Sequence, residues 1–178
     1  DHCLGPNDEG TREDVVVTCT AEETDRLLRS SAITPGADVQ SVLLAALMRT
    51  MWTWTAGRVA CCAIETHGRE ESLAGLDLTR TAGWFTALYP FTCEKRRSES
   101  PHQTLIRVMD EFSRVPRRGV SYGLLRYLAP DAEVRRRLSH LHPPEVVFNY
   151  FGQLDDRAGR QSQFTPTGRK TGPQCGSG

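Results

Sequence analysis

RVACCAIE, residues 58–65, sets six apolar or small side chains between an arginine and a glutamate. The run is short, lies between Gly57 and Gly68, and lacks polar alternation. Those features predict a strand covered on both faces, as in the interior of an α/β sheet. The strand passes the chain to ETHGRE (65–70), where two carboxylates, a histidine and an arginine surround one glycine. Charged loops after strands are commonly just solvated. The alternative is that the strand delivers charged groups to a site, since open sheets present ligands at their strand ends.

The segments around this strand alternate between helix and strand patterns. Upstream, DVVVTCT (14–20) reads as a strand. TAEETDRLLRS then opens a helix, with Thr20 and Glu23 at capping-box spacing. DVQSVLLAALMRTMWTWT (38–55) is the longest helical segment, capped by Asp38 and stopped by Gly57. Val39, Leu43, Ala46, Leu47, Thr50, Met51 and Trp54 form its stripe, and Leu44, Met48 and Trp52 widen it toward packing on more than one side. Downstream, GWFTALYPF (83–91) reads as a second strand, its Pro90 marking an edge or a bulge. Ser100-Pro101-His102-Gln103 opens a helix with a capping serine and a first-turn proline. GVSYGLLRYL is a glycine-rich turn into a short helix, DAEVRRRLSHL is another helix, and EVVFNYFGQLD (145–155) is the last strand. The fold class is therefore α/β, strands alternating with helices around a buried sheet. Residues 1–13 read as a flexible lead-in and 156–178 as a flexible tail or linker, leaving 14–155 as the folded part.

At 178 residues the chain is one domain-sized unit, or half of a larger one. Lysine plus arginine equal aspartate plus glutamate at 22 each. That balance gives no support for a nucleic-acid or membrane-surface partner. Apolar runs such as 42–47 are far too short to span a bilayer. No secretory signal pattern is present, and the six cysteines lack metal or disulfide pairing patterns. Free thiols fit a reducing compartment, so the cytoplasm is the expected location.

Within ETHGRE, Glu65 still belongs to the apolar strand and is the acid most exposed to desolvation. Desolvation raises a carboxyl pKa and makes a better base near neutrality. Gly68 allows a tight turn. His67 has no companion at metal-ligand spacing, so no metal site is expected. Trp84 and Phe85 read as core rather than as a ligand platform. Tyr150 reads as a core tyrosine with a satisfied hydroxyl. Strand alternation sends Phe148 and Tyr150 one way and Asn149 the other.

Four separated stretches, ETHGRE, RTAGWFTALYP (80–90), PRRGVSYG (116–123) and FNYFGQLD (148–155), resemble the later core motifs of epimerization domains of nonribosomal peptide synthetases. They stand in that family's order, over about residues 14 to 155. The resemblance implies a chloramphenicol acetyltransferase-like lobe, a mixed β-sheet flanked by helices, as one half of a two-lobed, V-shaped domain. It implies inversion of the α-carbon of an aminoacyl or peptidyl thioester. The substrate arrives on the phosphopantetheine arm of a peptidyl carrier protein, and no cofactor is bound directly. Adjacent synthetase domains are the further partners. Only the carboxy-terminal lobe is matched: the family's H-H-x-x-x-D-G motif, which lies in the amino-terminal lobe, is absent from this sequence. Activity is accordingly expected only with that lobe present. The resemblance also implies that Glu65 faces the missing lobe's second histidine. The resemblance makes Tyr150 a proton or hydrogen-bond donor beside Glu65 and has Arg69 and Asn149 line or brace the site, with His67, Trp84 and Tyr122 around it; Asn149 and Tyr150 both reach it only where the strand bulges or ends. Thr66, Ala82 and Ser121 depart from the family's usual residues without removing a charged group. Two other functions remain open on the sequence: a condensation domain joining two carrier-bound substrates, and a non-catalytic module that docks carrier proteins. Gly83-Trp84-Phe85-Thr86 favours the epimerase branch, because condensation members typically carry an asparagine shortly after that glycine.

Overall fold

The computed structural model describes residues 9–69, 77, 78 and 80–152. The amino-terminal eight residues, Glu70, the tail 156–178, and Cys3 and Cys175 lie outside the described residues. Arg26–Gly152 form one compact unit, whereas Asp1–Asp25 and Gln153–Gly178 group as another.

In that second group, the expected strand at 14–20 does not form: the segment carries no regular secondary structure, and Val15, Val16 and Val17 are 85–89% exposed. A β-branched run favours a pleated surface only where a partner strand supplies one. The capping box forms as expected. Thr20 Oγ1 accepts from the Glu23 N–H at 3.2 Å, and the Glu23 carboxylate accepts from the Thr20 N–H at 2.8 Å. It starts α1 (Ala21–Ile33).

The main unit is built on a three-stranded mixed sheet in the order β2-β1-β3. β1 (Val59–Thr66) pairs antiparallel with β2 (Ala87–Glu94) and parallel with β3 (Val147–Asn149). This is the mixed, helix-flanked α/β sheet expected from the sequence. β2 starts four residues later than expected, so Gly83 to Thr86 lie outside it. Pro90 pairs with Ala63 on a strand that, among the described residues, has only β1 beside it, where a missing N–H is tolerated.

α2 (Val39–Trp54) starts at Asp38, whose carboxylate accepts from the Ser41 N–H at 2.7 Å. Its buried face is Ser41, Leu44, Ala45, Met48, Met51 and Trp52, and Trp54 is 74% exposed. Of the expected stripe only Met51 is fully buried. A helix apolar on nearly every side carries no periodic signal for which side packs. The helix stops at Thr55, and the left-handed residue after it is Ala56 (φ 51°) rather than Gly57. α3 (Pro101–Ser113) carries the expected capping box between Ser100 and Gln103.

Alternation along β1 sends Ala60, Cys62 and Ile64 toward these helices. There they join Leu44, Met48, Trp52, Phe91, Cys93 and Val108 in one core. The Trp52 indole N–H donates to the Cys93 carbonyl at 3.1 Å. Burial raises both thiols of the Cys61–Cys62 pair, Cys62 to about 12. The opposite face of β1 is only partly covered, which corrects the expectation of a strand buried on both sides. There Cys61 is half-buried, and the flanking Leu88 and Val147 are 50% and 54% exposed. Small side chains at 61 and 63 read as core in a sequence although one of their neighbours on each side faces outward.

Beyond α3 come a 3-10 turn (Pro116–Gly119), the short α4 (Val120–Gly123), a π-helical turn (Leu124–Leu128) and α5 (Ala132–Ser139). Gly119 (φ 88°) lies against Tyr89, and a Cβ there would stand 1.8 Å from the ring. Gly119→Ala is expected to lower the melting temperature by several degrees, because backbone strain and ring overlap add. An unchanged thermal midpoint would show that the turn is not held there.

Candidate functional site

β1 ends on Glu65 and Thr66, and the two residues face different surroundings. Glu65 is half-buried and stands in register with Leu88 on one side and Asn149 on the other. This row lies on the face away from α2 and α3. Thr66, His67 and Tyr150 line a cleft of about 680 Å³ on the helix side, together with Ser41, Met109 and Arg118. β3 stops at Asn149, so Tyr150 is the first residue past the strand, and both it and Asn149 sit at the same strand end. Glu65, His67, Asn149 and Tyr150 are thus gathered at one end of the sheet and divided between its two faces.

The turn after β1 is held from three directions. Gly68 is buried with φ 63°, and a Cβ there would lie 1.7 Å from the Phe85 carbonyl oxygen. Arg69 sends Nη1 to the carbonyls of Leu78 and Thr81, both at 2.8 Å, and Nη2 to that of Gly83 at 3.2 Å. Its guanidinium also sits 4.3 Å over the Phe85 ring, a cation–π contact. His67 Nδ1 accepts from the Arg69 N–H at 3.0 Å, which leaves Nε2 as the protonated nitrogen of the neutral ring. Thr66 donates to the Arg118 carbonyl at 3.4 Å. Arg69 is therefore tied to loop carbonyls and makes no ion pair with Glu65.

The remaining sequence candidates lie elsewhere. Trp84 is 88% exposed, against its reading as core. It precedes the first residue of β2, so no strand register turns it inward. Tyr122 packs against the core and accepts from Arg126 Nη1 at 2.8 Å in a second groove. Sequence reading missed Phe85, which carries both the carbonyl over Gly68 and the ring under Arg69. It also missed Arg118 in the cleft and Arg126 in the groove. Only tertiary packing joins these residues to the strand end. The one sequence signal was their place inside, or three residues beyond, the quoted motifs.

The Condensation domain family matches residues 5–173. This chain belongs to the condensation-domain family. Among its relatives, one component of the linear gramicidin synthase of Brevibacillus parabrevis is 39% identical over 89% of this chain and 2% of that protein. A component of the plipastatin synthase of Bacillus subtilis is 34% identical over 93% of this chain and 6% of that protein. The chain therefore spans a few hundredths of the length of these curated relatives. Among solved structures, the epimerization domain from the third module of tyrocidine synthetase B has a TM-score of 0.63 at 29% identity. The similarity covers 74% of this chain and 29% of that one. The first condensation domain of the calcium-dependent antibiotic synthetase has a TM-score of 0.50 at 18% identity, which shows a shared fold. No helix among the described residues is long and apolar enough to cross a membrane.

Gly68→Ala tests the turn. The left-handed conformation alone costs about 1–2 kcal/mol for a residue with a Cβ, and overlap with Phe85 adds to it. A lowered melting temperature with increased proteolysis near residues 66–69 is expected, and wild-type values for both would disprove the tight packing of Gly68 on Phe85.

Proposed function

We propose that this chain is the carboxy-terminal lobe of an epimerization-type domain that inverts the α-carbon of a thioester carried by a peptidyl carrier protein. The observation that carries the reading is Glu65, a carboxylate at the end of a largely buried strand. It lies in a chain that is more similar to an epimerization domain (TM-score 0.63) than to a condensation domain (0.50). Epimerization removes a proton from one face of a carbon and returns one to the other, so it needs two proton carriers on opposite walls. Glu65 is one carrier; the other belongs to an amino-terminal lobe. Removal of the α-proton leaves an enolate, whose oxyanion is stabilised by fixed donors. Asn149, in register with Glu65 on the same face, supplies such a donor, whereas Tyr150 lines the cleft on the other face. Arg69, His67 and the Gly68 turn hold the loop in place, and Tyr122 forms part of the wall. The substrate arrives on a phosphopantetheine arm, with the adjacent synthetase domains and the carrier as partners, and no cofactor enters the reaction.

The test loads a carrier protein with an L-aminoacyl group in heavy water and follows α-proton exchange by mass. No exchange is expected from this chain alone, and exchange is expected once an amino-terminal lobe is supplied. Exchange by the unaided chain would overturn the two-lobe account. Formation of a peptide bond with a second loaded carrier, without exchange, would assign the chain to the condensation branch.

A further inference from the structure

Phe85 lies in neither strand, yet it joins the end of β1 to the start of β2. The Arg69 guanidinium sits 4.3 Å over its ring. Its carbonyl oxygen stands 1.7 Å from where a Cβ on Gly68 would be, and the Ala87 nitrogen stands 3.2 Å from the same point. Gly83 packs on the ring as well, where a Cβ would lie 3.0 Å from Phe85 Cε2. One residue thus holds Arg69 by its side chain and Gly68 by its main chain.

The two contacts act differently. A guanidinium is a planar fork, so its N–H groups reach the carbonyls of Leu78, Thr81 and Gly83 together only when the plane is set. Stacking on the Phe85 ring sets that plane. The main-chain contact closes the end of the sheet. Thr66 pairs with Ala87 in the last rung between β1 and β2, and Glu65 pairs with Leu88 one rung earlier. Structure opens first at its ends, so whatever closes this end decides how steadily Glu65 is held.

We infer that Phe85 is a positioning residue for Glu65, acting through Arg69 and Gly68: its ring and carbonyl clip the turn after β1 to the start of β2. The clip itself rests on these contacts; its consequence for catalysis rests on the function proposed above. Proton transfer tolerates little displacement, a shift of about 1 Å costing up to about a hundredfold in rate. A loosened strand end therefore lowers the rate of the bound complex and leaves its formation unchanged.

Phe85→Leu keeps an apolar side chain and removes the π face, whereas Phe85→Tyr keeps both. Amide hydrogen exchange is followed in the full chain, and α-proton exchange in the domain completed by an amino-terminal lobe. In Phe85→Leu the amides of residues 65–69 and 87–88 are expected to exchange about tenfold faster, while those of 60–62, nearer the start of β1, keep wild-type protection. The α-proton exchange rate at saturating carrier is expected to fall about tenfold, with the half-saturating concentration unchanged. Phe85→Tyr is expected to match wild type in both. Arg69→Lys is expected to loosen the same amides, and the double variant with Phe85→Leu to add little, because residues in one contact are not independent. Wild-type amide protection in Phe85→Leu, or additive effects in the double variant, would overturn the clip. Loosened amides with an unchanged rate, or a raised half-saturating concentration in place of a lowered rate, would overturn the positioning role. Absence of α-proton exchange from the completed wild-type domain would instead remove the proposed reaction, and the amide measurements would still decide the clip.

Discussion

Glu65→Gln, in a domain completed by an amino-terminal lobe, is expected to abolish α-proton exchange into the carrier-bound aminoacyl group, a fall of at least about a hundredfold. The amide keeps the size and hydrogen-bonding reach of the side chain but cannot take up or return a proton. The substitution is also mild for the fold, because Glu65 is half-buried and its side chain makes no hydrogen bond or ion pair among the described residues. A normal melting temperature alongside lost exchange would separate chemistry from folding. Asn149→Ala is the companion measurement. As a donor rather than a proton carrier, it is expected to reduce exchange less than the loss of Glu65 does. Exchange retained at the wild-type rate in Glu65→Gln would remove Glu65 from the reaction.

Arg107→Ala is expected to be strongly destabilising. Arg107 is 8% exposed on α3 and donates to both carboxylate oxygens of Glu99, at 2.8 and 2.7 Å. It also reaches Glu111 at 3.2 Å and the Cys93 sulfur at 2.8 Å, beneath the Trp52 ring at 5.6 Å. Removing the guanidinium leaves the Glu99 carboxylate, itself only 9% exposed, without its partner. Breaking one side of such a pair costs about 3–5 kcal/mol, against a total stability of about 5–15. The double variant Arg107→Met with Glu99→Gln is expected to recover much of the loss, because no charge is then buried alone. A loss under about 1 kcal/mol for Arg107→Ala, read from denaturant unfolding, would refute this account of the core.

The same pair predicts how stability follows pH. Hydrogen bonds from Arg107 hold the Glu99 carboxyl below its ordinary range. A group whose pKa is depressed on folding contributes stability above its unfolded pKa, and that stability is lost as pH falls through the folded value. The chain is therefore expected to lose stability as pH drops below the usual glutamate range, and Glu99→Gln is expected to flatten that dependence. An unchanged acid profile in Glu99→Gln would place the dependence on other groups.

Local signals in the sequence were sufficient wherever the controlling contact lies within a few residues. The capping boxes at Thr20 and Ser100, the Asp38 cap and the apolar run of β1 all have causes inside a four- to eight-residue window. The motif order was also legible, and with it the family. The DVVVTCT segment failed as a strand because strand propensity is expressed only against a partner. The buried side of α2 was misread because its apolar residues surround the helix. In both places the deciding contact is distant in sequence.

What the sequence by itself determined is the α/β class, the helix starts and the strand that ends in Glu65, with His67, Asn149 and Tyr150 among the residues near that end. Only the tertiary structure decided how that set divides. Alternation about β1 puts Glu65 and Asn149 on one face, whereas His67 and Tyr150 line the cleft on the other. It also tied Arg69 to the carbonyls of residues 78, 81 and 83 rather than to a carboxylate. The physical reason is that a residue's type fixes which interactions it can make, while its partner depends on chain segments brought together by burial of the core.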